Sequence, residues 1–231
     1  MTNLIIIIKK YLRRRSDPAI KSRVNNFFEI LKTNKQEFHQ SYWKQLTDLY
    51  QILSAEGMTN PDECLLLRNL SQQVRKGCIV EIGSYRGRST IALAQGVQIA
   101  NSQIPIYAVD PHEKFVGVMG GTFGPQDRIA FFKNLLKTNT VQEVRLINLP
   151  SEVIIKGWQK NISLLWIDGD HSYEGVKKDF DLWKPFLMPK AMIVFDDSNN
   201  PKIGPYQLIQ ELVQSNQYKI EKIVGKVTVL K

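Results

Sequence analysis

Three aspartates and one histidine offer the most concentrated chemistry in this chain. The apolar run 164–167 (LLWI) stops at Asp168, and the run 191–195 (AMIVF) stops at Asp196 and Asp197. His171 follows Asp168 by three residues. Between the runs, Tyr173, Val176, Phe180, Trp183 and Leu187 recur at three- and four-residue steps, the spacing of one helix face. Two parallel strands joined by that helix would bring the three carboxylates to one sheet edge, the carboxyl edge where α/β folds keep ligands. Carboxylates that close repel one another unless a cation lies between them. No Cys or His pair accompanies the set, so a hard, oxygen-liganded ion fits: Mg²⁺ before Zn²⁺, with Ca²⁺ and Mn²⁺ sharing the same chemistry. One strand ending in Asp is often no more than a helix cap or a turn. Two such ends joined by one crossover helix are the stronger argument for a site.

A second constellation lies upstream. CIVEIGSYRGRSTIALA, beginning at Cys78, reads as a buried strand, a glycine turn and a helix from about Gly87, with Ser89 at its start. Gly83 and Gly87 let the backbone approach a ligand closely, and the helix start offers free N–H groups. The spacing is G-x-x-x-G, without the third glycine that seats a dinucleotide pyrophosphate. Glu81, two residues before Gly83, suits a cationic ligand or an amino acid better than a diphosphate. The strand 104–109 ends at Asp110, where cofactor-binding α/β folds grip ribose hydroxyls. His112, a lone histidine, reads as structural or solvated.

The remaining elements must position these groups. The stretch 115–124 (FVGVMGGTFG) contains four glycines among bulky apolar residues and suits a mobile lid or a plain loop. Pro125 opens a helix with Ile129, Phe132 and Leu136 on one side. The stretch 144–147 is a strand, and Ser151 begins a helix at the same carboxyl edge. The stretch 206–213 is helical, while 218–224 and 226–230, split by Gly225, form a terminal antiparallel pair. Upstream, Val24, Phe27, Phe28 and Leu31 make one helical stripe and Tyr42, Leu46, Leu49, Tyr50 and Leu53 another, as cover for the sheet. Pro61 opens a helix capped by Asn60, with Leu65, Leu66 and Leu70 facing inward.

With 231 residues the chain can bury one substantial core. Two cysteines without metal-ligand spacing point to a reducing, cytoplasmic home. Most of the +9 net charge sits in residues 1–23, where seven basic residues face only Asp17. This arm has an apolar run of five residues, 4–8, far short of the ~20 that span a bilayer. Its bases follow that run, unlike a secretory signal. Three readings stay open for residues 4–23: a helix packed on the body or on a second subunit, a weak membrane-surface contact, or a nucleic-acid contact. No aromatic-basic reading surface accompanies the arm, so nucleic acid is not the expected partner. The division expected is 1–60 for the arm and helical cover, and 61–231 for the ligand-binding domain.

The combination of VEIGSYRGRST, YAVD, WIDGDHSYEGVKKDFDLWKPFL and IVFDD resembles class I S-adenosylmethionine-dependent methyltransferases. More narrowly, it is similar to the metal-dependent O-methyltransferases related to macrocin and aminocoumarin sugar O-methyltransferases, with catechol-type enzymes as more distant relatives. The resemblance covers about Pro61 to the C-terminus. It implies an α/β, doubly wound, seven-stranded, mostly parallel sheet of order 3-2-1-4-5-7-6 with strand 7 antiparallel, here with an N-terminal helical extension. By the same resemblance Glu81, Gly83, Gly87 and Ser89 hold the methionine part of S-adenosylmethionine, Asp110 the ribose, and the region of Ser151 the adenine. Asp168, Asp196 and Asp197 hold the metal. Catechol-type relatives carry Asn at the last of these, so Asp197 matches the sugar-modifying branch.

Sugar hydroxyls are weak acids, so a divalent cation that fixes the oxygen and eases its proton loss suits the reaction. His171 stands where catechol-type relatives carry a lysine base and some sugar-modifying ones a histidine, with Asp168 or Asp170 as rival bases and a metal-orienting role as the alternative. The implied activity is methyl transfer to a hydroxyl of a small molecule, a sugar or glycosylated metabolite, by a homo-oligomer such as a dimer. Alternatives are a catechol or phenol acceptor, a nicotinamide-dependent oxidoreductase, which the missing third glycine disfavours, and a non-catalytic binding module.

Overall fold

The computed structural model describes residues 40–231, with side chains from Thr47 onward. The expected basic arm and the stripe at Val24, Phe27, Phe28 and Leu31 lie outside the described residues. Two compact units divide the chain, Met1–Gln51 and Ile52–Lys231. Every feature of the site below belongs to the second.

After helix α1 (Gln40–Ser54) and helix α2 (Pro61–Ser71), the chain alternates strand and helix. Strand β1 (Cys78–Ile82) leads to α3 (Arg88–Ile99), and β2 (Ile106–Val109) to a small hairpin of β3 (Phe115–Val116) and β4 (Thr122–Phe123). Helix α4 (Pro125–Lys137), β5 (Val144–Ile147) and the single turn α5 (Ser151–Ile154) follow. Then come β6 (Ile162–Ile167), α6 (Tyr173–Trp183), β7 (Leu187–Phe195), α7 (Gly204–Gln214), β8 (Ile220–Val224) and β9 (Val227–Leu230). The main sheet has seven strands in the order β5-β2-β1-β6-β7-β9-β8, with β9 antiparallel to both neighbours. Counted along the chain without the hairpin, that is the order 3-2-1-4-5-7-6. The stretch read as a lid or loop is the β3–β4 hairpin.

β1 is central and all five of its residues are buried, Glu81 included, as expected of a parallel strand covered on both faces. Alternate residues feed two cores. Ile79, Trp166 and Val194 pack with Leu67, Ile91, Leu93 and Phe131 from α2, α3 and α4. Val80, Leu165 and Phe195 pack with Val176, Phe180, Trp183 and Leu208 from α6 and α7.

Ile129, Phe132 and Leu136 do share one side of α4; it is the exposed side, 43–65% accessible, while Phe131 and Leu135 are the buried pair. Their spacing is helical, but both sides of α4 carry apolar residues, and periodicity alone does not say which side meets the sheet. Two local expectations are corrected. On α2, Leu67 takes the inward place expected of Leu65, beside Leu66 and Leu70. Leu187 belongs to β7, which runs through Pro189; the register slips from Ile162↔Leu187 to Leu164↔Met192, so the proline sits in a strand irregularity. Among the described residues no helix is long and apolar enough to cross a membrane.

Candidate active site

Sheet register builds the site. Val109, Ile82, Ile167 and Phe195 lie level across β2, β1, β6 and β7, so the residues that follow them form one row: Asp110, Gly83, Asp168 and Asp196. Each continues the ladder by one backbone bond: Gly83 N–H donates to Val109 C=O, Asp168 N–H to Ile82 C=O and Asp196 N–H to Ile167 C=O, at 2.8–3.0 Å. The row opens into a cavity of about 540 Å³. Gly83, Ser89, Asp110, Ser151, Asp168, His171, Asp196 and Asp197 all line it. Glu81 and Gly87 do not.

Glu81 is fully buried behind the glycine turn, where Ser89 Oγ and Thr90 Oγ1 each donate to its carboxyl at 2.5 Å. Burial pushes its pKa up to about 8, against the lowering effect of those two hydroxyls. It fastens the first turn of α3 to the end of β1. Gly83 has φ +81, and a Cβ there would collide with the Asp168 carbonyl, so the turn requires glycine. Asp110 braces the same turn: its Oδ2 accepts from the N–H groups of Ser84 and Tyr85, both at 2.9 Å, and its Oδ1 from His112 N–H at 2.8 Å. His112 is buried with Nε2 2.8 Å from the Tyr85 carbonyl, which is a structural role. Ser151 Oγ accepts the indole N–H of the buried Trp183 at 3.1 Å.

At the other end of the row, His171 Nε2 is 3.5 Å from Asp168 Oδ1 and 3.8 Å from Asp197 Oδ2, and has no hydrogen-bond partner among the described residues. Burial works against a charged ring there, but Asp168 and then Asp197 outweigh it and raise the pKa. Asp196 is 2% exposed; burial first, and Asp168 next, lift its pKa well above the carboxylate range. Its Oδ1 is buried without a hydrogen-bond partner among the described residues. Ligand atoms of Asp168, His171 and Asp196 lie within 4.8 Å of one another. Asp170, a rival base, is occupied as a cap, with Oδ1 accepting from Ser172 N–H and Oδ2 from Ser172 Oγ, both at 2.9 Å.

The residue that sequence reasoning missed is Lys226. Its Nζ lies 2.6 Å from Asp196 Oδ2 and 2.9 Å from Asp197 Oδ1. Because β9 runs antiparallel and pairs Thr228 with Phe195, the residue entering β9 arrives beside those leaving β7. No local motif marks this lysine; only the strand register does. Tyr85, His112 and Asp197, all at the cavity, have positive φ of 46–47°. Such strained backbone persists only where its surroundings fix it, and it gathers at functional sites.

The fold and this row of groups define a Rossmann-like α/β domain with its cavity at the carboxyl edge of the sheet. A family described as a methyltransferase domain matches residues 80–198, and the chain belongs to it. A protein from Acanthamoeba polyphaga mimivirus, R132, is 28% identical over 148 residues, 61% of each chain. One from Sinorhizobium fredii, y4gI, is 26% identical over 136 residues, 56% of this chain but 14% of its own length. The chain thus spans less than two thirds of either relative. Among solved structures, the O-methyltransferase from Bacillus cereus with SAH has TM-score 0.58 at 17% identity, covering 80% of this chain and 90% of that one. CalS11, a TDP-rhamnose 3'-O-methyltransferase of calicheamicin biosynthesis, has TM-score 0.56 at 18% identity, covering 100% and 93%. The chain shares their fold.

Proposed function

We propose that this protein is an S-adenosylmethionine-dependent O-methyltransferase, assisted by a divalent cation, that methylates a hydroxyl of a sugar or glycosylated small molecule. The observation that carries the reading is one cavity whose floor runs from the glycine turn to the acidic cluster. Cofactor and acceptor groups would therefore meet over Asp168 and His171. The residues fit both S-adenosylmethionine and a divalent ion. The turn at Gly83, Ser89 and Asp110 would hold the methionine and ribose parts, with Ser151 toward the adenine. Asp168, Asp196 and Asp197 would hold a divalent ion, to which the unpartnered Asp196 Oδ1 is suited.

S-adenosylmethionine supplies an activated methyl group, and the ion supplies positive charge that favours the acceptor's alkoxide. The chain's own residues do the rest. His171, at the cavity wall with Nε2 beside Asp168 and Asp197, would take the hydroxyl proton. Tyr85, Phe115, Phe123 and Met119 also line the cavity and give it an aromatic, apolar wall. That aromatic wall also favours a second reading, a phenolic or catechol acceptor. The fold of CalS11, which acts on TDP-rhamnose, supports the sugar reading.

The test is calorimetric titration with S-adenosylmethionine, with and without Mg²⁺, followed by a hydroxyl acceptor panel with sugars before phenols. Micromolar binding and turnover that EDTA abolishes would support the reading. Absence of S-adenosylmethionine binding alongside NAD binding would overturn it in favour of an oxidoreductase.

A further inference from the structure

Lys226 is a built feature of the acidic cluster. Its backbone N–H donates to Oε1 of the buried Glu63 at 3.1 Å, and its carbonyl accepts from both N–H and Oγ of Ser198, each at 2.8 Å. Glu63 is itself tied to the start of α2 through Asn60 N–H at 2.6 Å. The main chain of Lys226 is thus pinned from two sides, leaving a flexible stem whose ammonium pairs, among the described residues, with Asp196 and Asp197. That ammonium gives the three carboxylates one positive charge, but it does not satisfy the cluster. Asp196 Oδ1 and His171 Nε2 remain buried without hydrogen-bond partners among the described residues. A lysine and a divalent ion drawn to the same two carboxylates must repel each other.

We propose that Lys226 is a resident counter-cation that competes with the divalent ion for Asp196 and Asp197, so that this site takes up its metal reversibly and weakly. The proposal rests on the metal-assisted reading above. When the ion binds, it neutralises the pair, and the ammonium, anchored only by its stem, is released toward the cavity. A purely structural ion pair, fastening the end of β7 to β9, would behave in the opposite way: losing it would loosen Asp196 and Asp197 and weaken metal binding.

The experiment is calorimetric titration of Mn²⁺ into the full chain, as wild type and as Lys226→Met, Lys226→Gln and Lys226→Arg, with S-adenosylmethionine binding measured on each preparation. The neutral variants are expected to bind Mn²⁺ about tenfold or more tightly than wild type, and the arginine variant like wild type. Equal or weaker binding by the neutral variants overturns the proposal and leaves the metal reading standing. Should no protein bind Mn²⁺, both fall, while retained S-adenosylmethionine binding keeps the methyltransferase reading. A wild-type measurement covers variants that fail to fold: acetylation of Lys226 by acetic anhydride, mapped by mass spectrometry, should rise on adding Mn²⁺. Unchanged labelling at saturating Mn²⁺ overturns the proposal.

Discussion

His171 lines the cavity, and its Nε2 lies between the carboxylates of Asp168 and Asp197 with no hydrogen-bond partner among the described residues. If that nitrogen takes the acceptor's proton, His171→Ala should lower turnover by about 100-fold or more while Mn²⁺ and S-adenosylmethionine affinities stay within a few-fold of wild type. Loss of metal affinity in parallel with turnover would instead make the histidine a metal-orienting group. Glu81 leads to a prediction about pH. Its carboxyl pKa rises from 4.5 to about 8 in the folded chain, chiefly through burial. Folding therefore takes up a proton between those values. The stability linked to Glu81 is complete below about pH 4.5 and is lost as pH climbs through about 8. Glu81→Gln, which cannot ionise, should flatten the fall in melting temperature across that range. His171, also raised, acts in the same direction, so some slope should remain. A melting curve for the variant as steep as that of wild type would show that the buried carboxyl is charged.

Elements set the distances that these residues require. The turn between β1 and α3 passes directly over the end of β6, which leaves room for a hydrogen at Gly83 and not for a methyl. Gly83→Ala should therefore displace either the turn or Asp168, cost roughly 1–3 kcal/mol in denaturant melts, and abolish S-adenosylmethionine binding in the same sample. The β3–β4 hairpin contributes differently. Phe123 packs edge-on against Tyr85 with ring centroids 5.3 Å apart, joining the hairpin to the glycine turn. Phe115, Val116, Val118 and Met119 remain exposed near its tip, 42–69% accessible. An element with so few buried contacts belongs to the low-stability end of a fold, where acceptor-facing parts are drawn from. Phe123→Ala should raise the acceptor KM several-fold with little change in S-adenosylmethionine affinity. Equal losses in both would assign the hairpin to the cofactor half of the cavity.

At the scale of the whole molecule, the cavity spans strand ends from β2 to β7, so a ligand filling its cofactor half ties both halves of the sheet together. S-adenosylmethionine at about 100 times its Kd should add about 2.7 kcal/mol, a rise in melting temperature of about 5–11 °C for a chain of this size. A melting curve indifferent to S-adenosylmethionine would mean that the cavity does not bind it in the folded state. The core that supports the row is aromatic beneath the acidic end. Trp183 meets Trp158 at 4.9 Å, Phe180 meets Phe195 at 6.1 Å, and Trp183 and Phe180 are almost fully buried. Damage there would reach Asp196 through Phe195, its neighbour in the chain.

The sequence by itself determined the strand–helix alternation, the acids at the strand ends, the glycine turn and the terminal antiparallel pair. Each is written in local periodicity and in the residue types that stop a strand, and nearest-neighbour geometry is enough to express them. Tertiary structure decided the rest. Glu81 reads as a ligand-facing acid, yet β1 is covered on both faces and turns it inward to Ser89 and Thr90. Ser151 reads as a helix start at the carboxyl edge, and the buried Trp183 N–H takes its hydroxyl as acceptor. On α4 either side was apolar enough to bury, and the sheet selected Phe131 and Leu135. Lys226 reads only as the first residue of the last strand, after Gly225. It reaches Asp196, 30 residues away, because β9 enters the sheet antiparallel beside β7, and pairing over that separation is set by strand register and core packing, which no local pattern records.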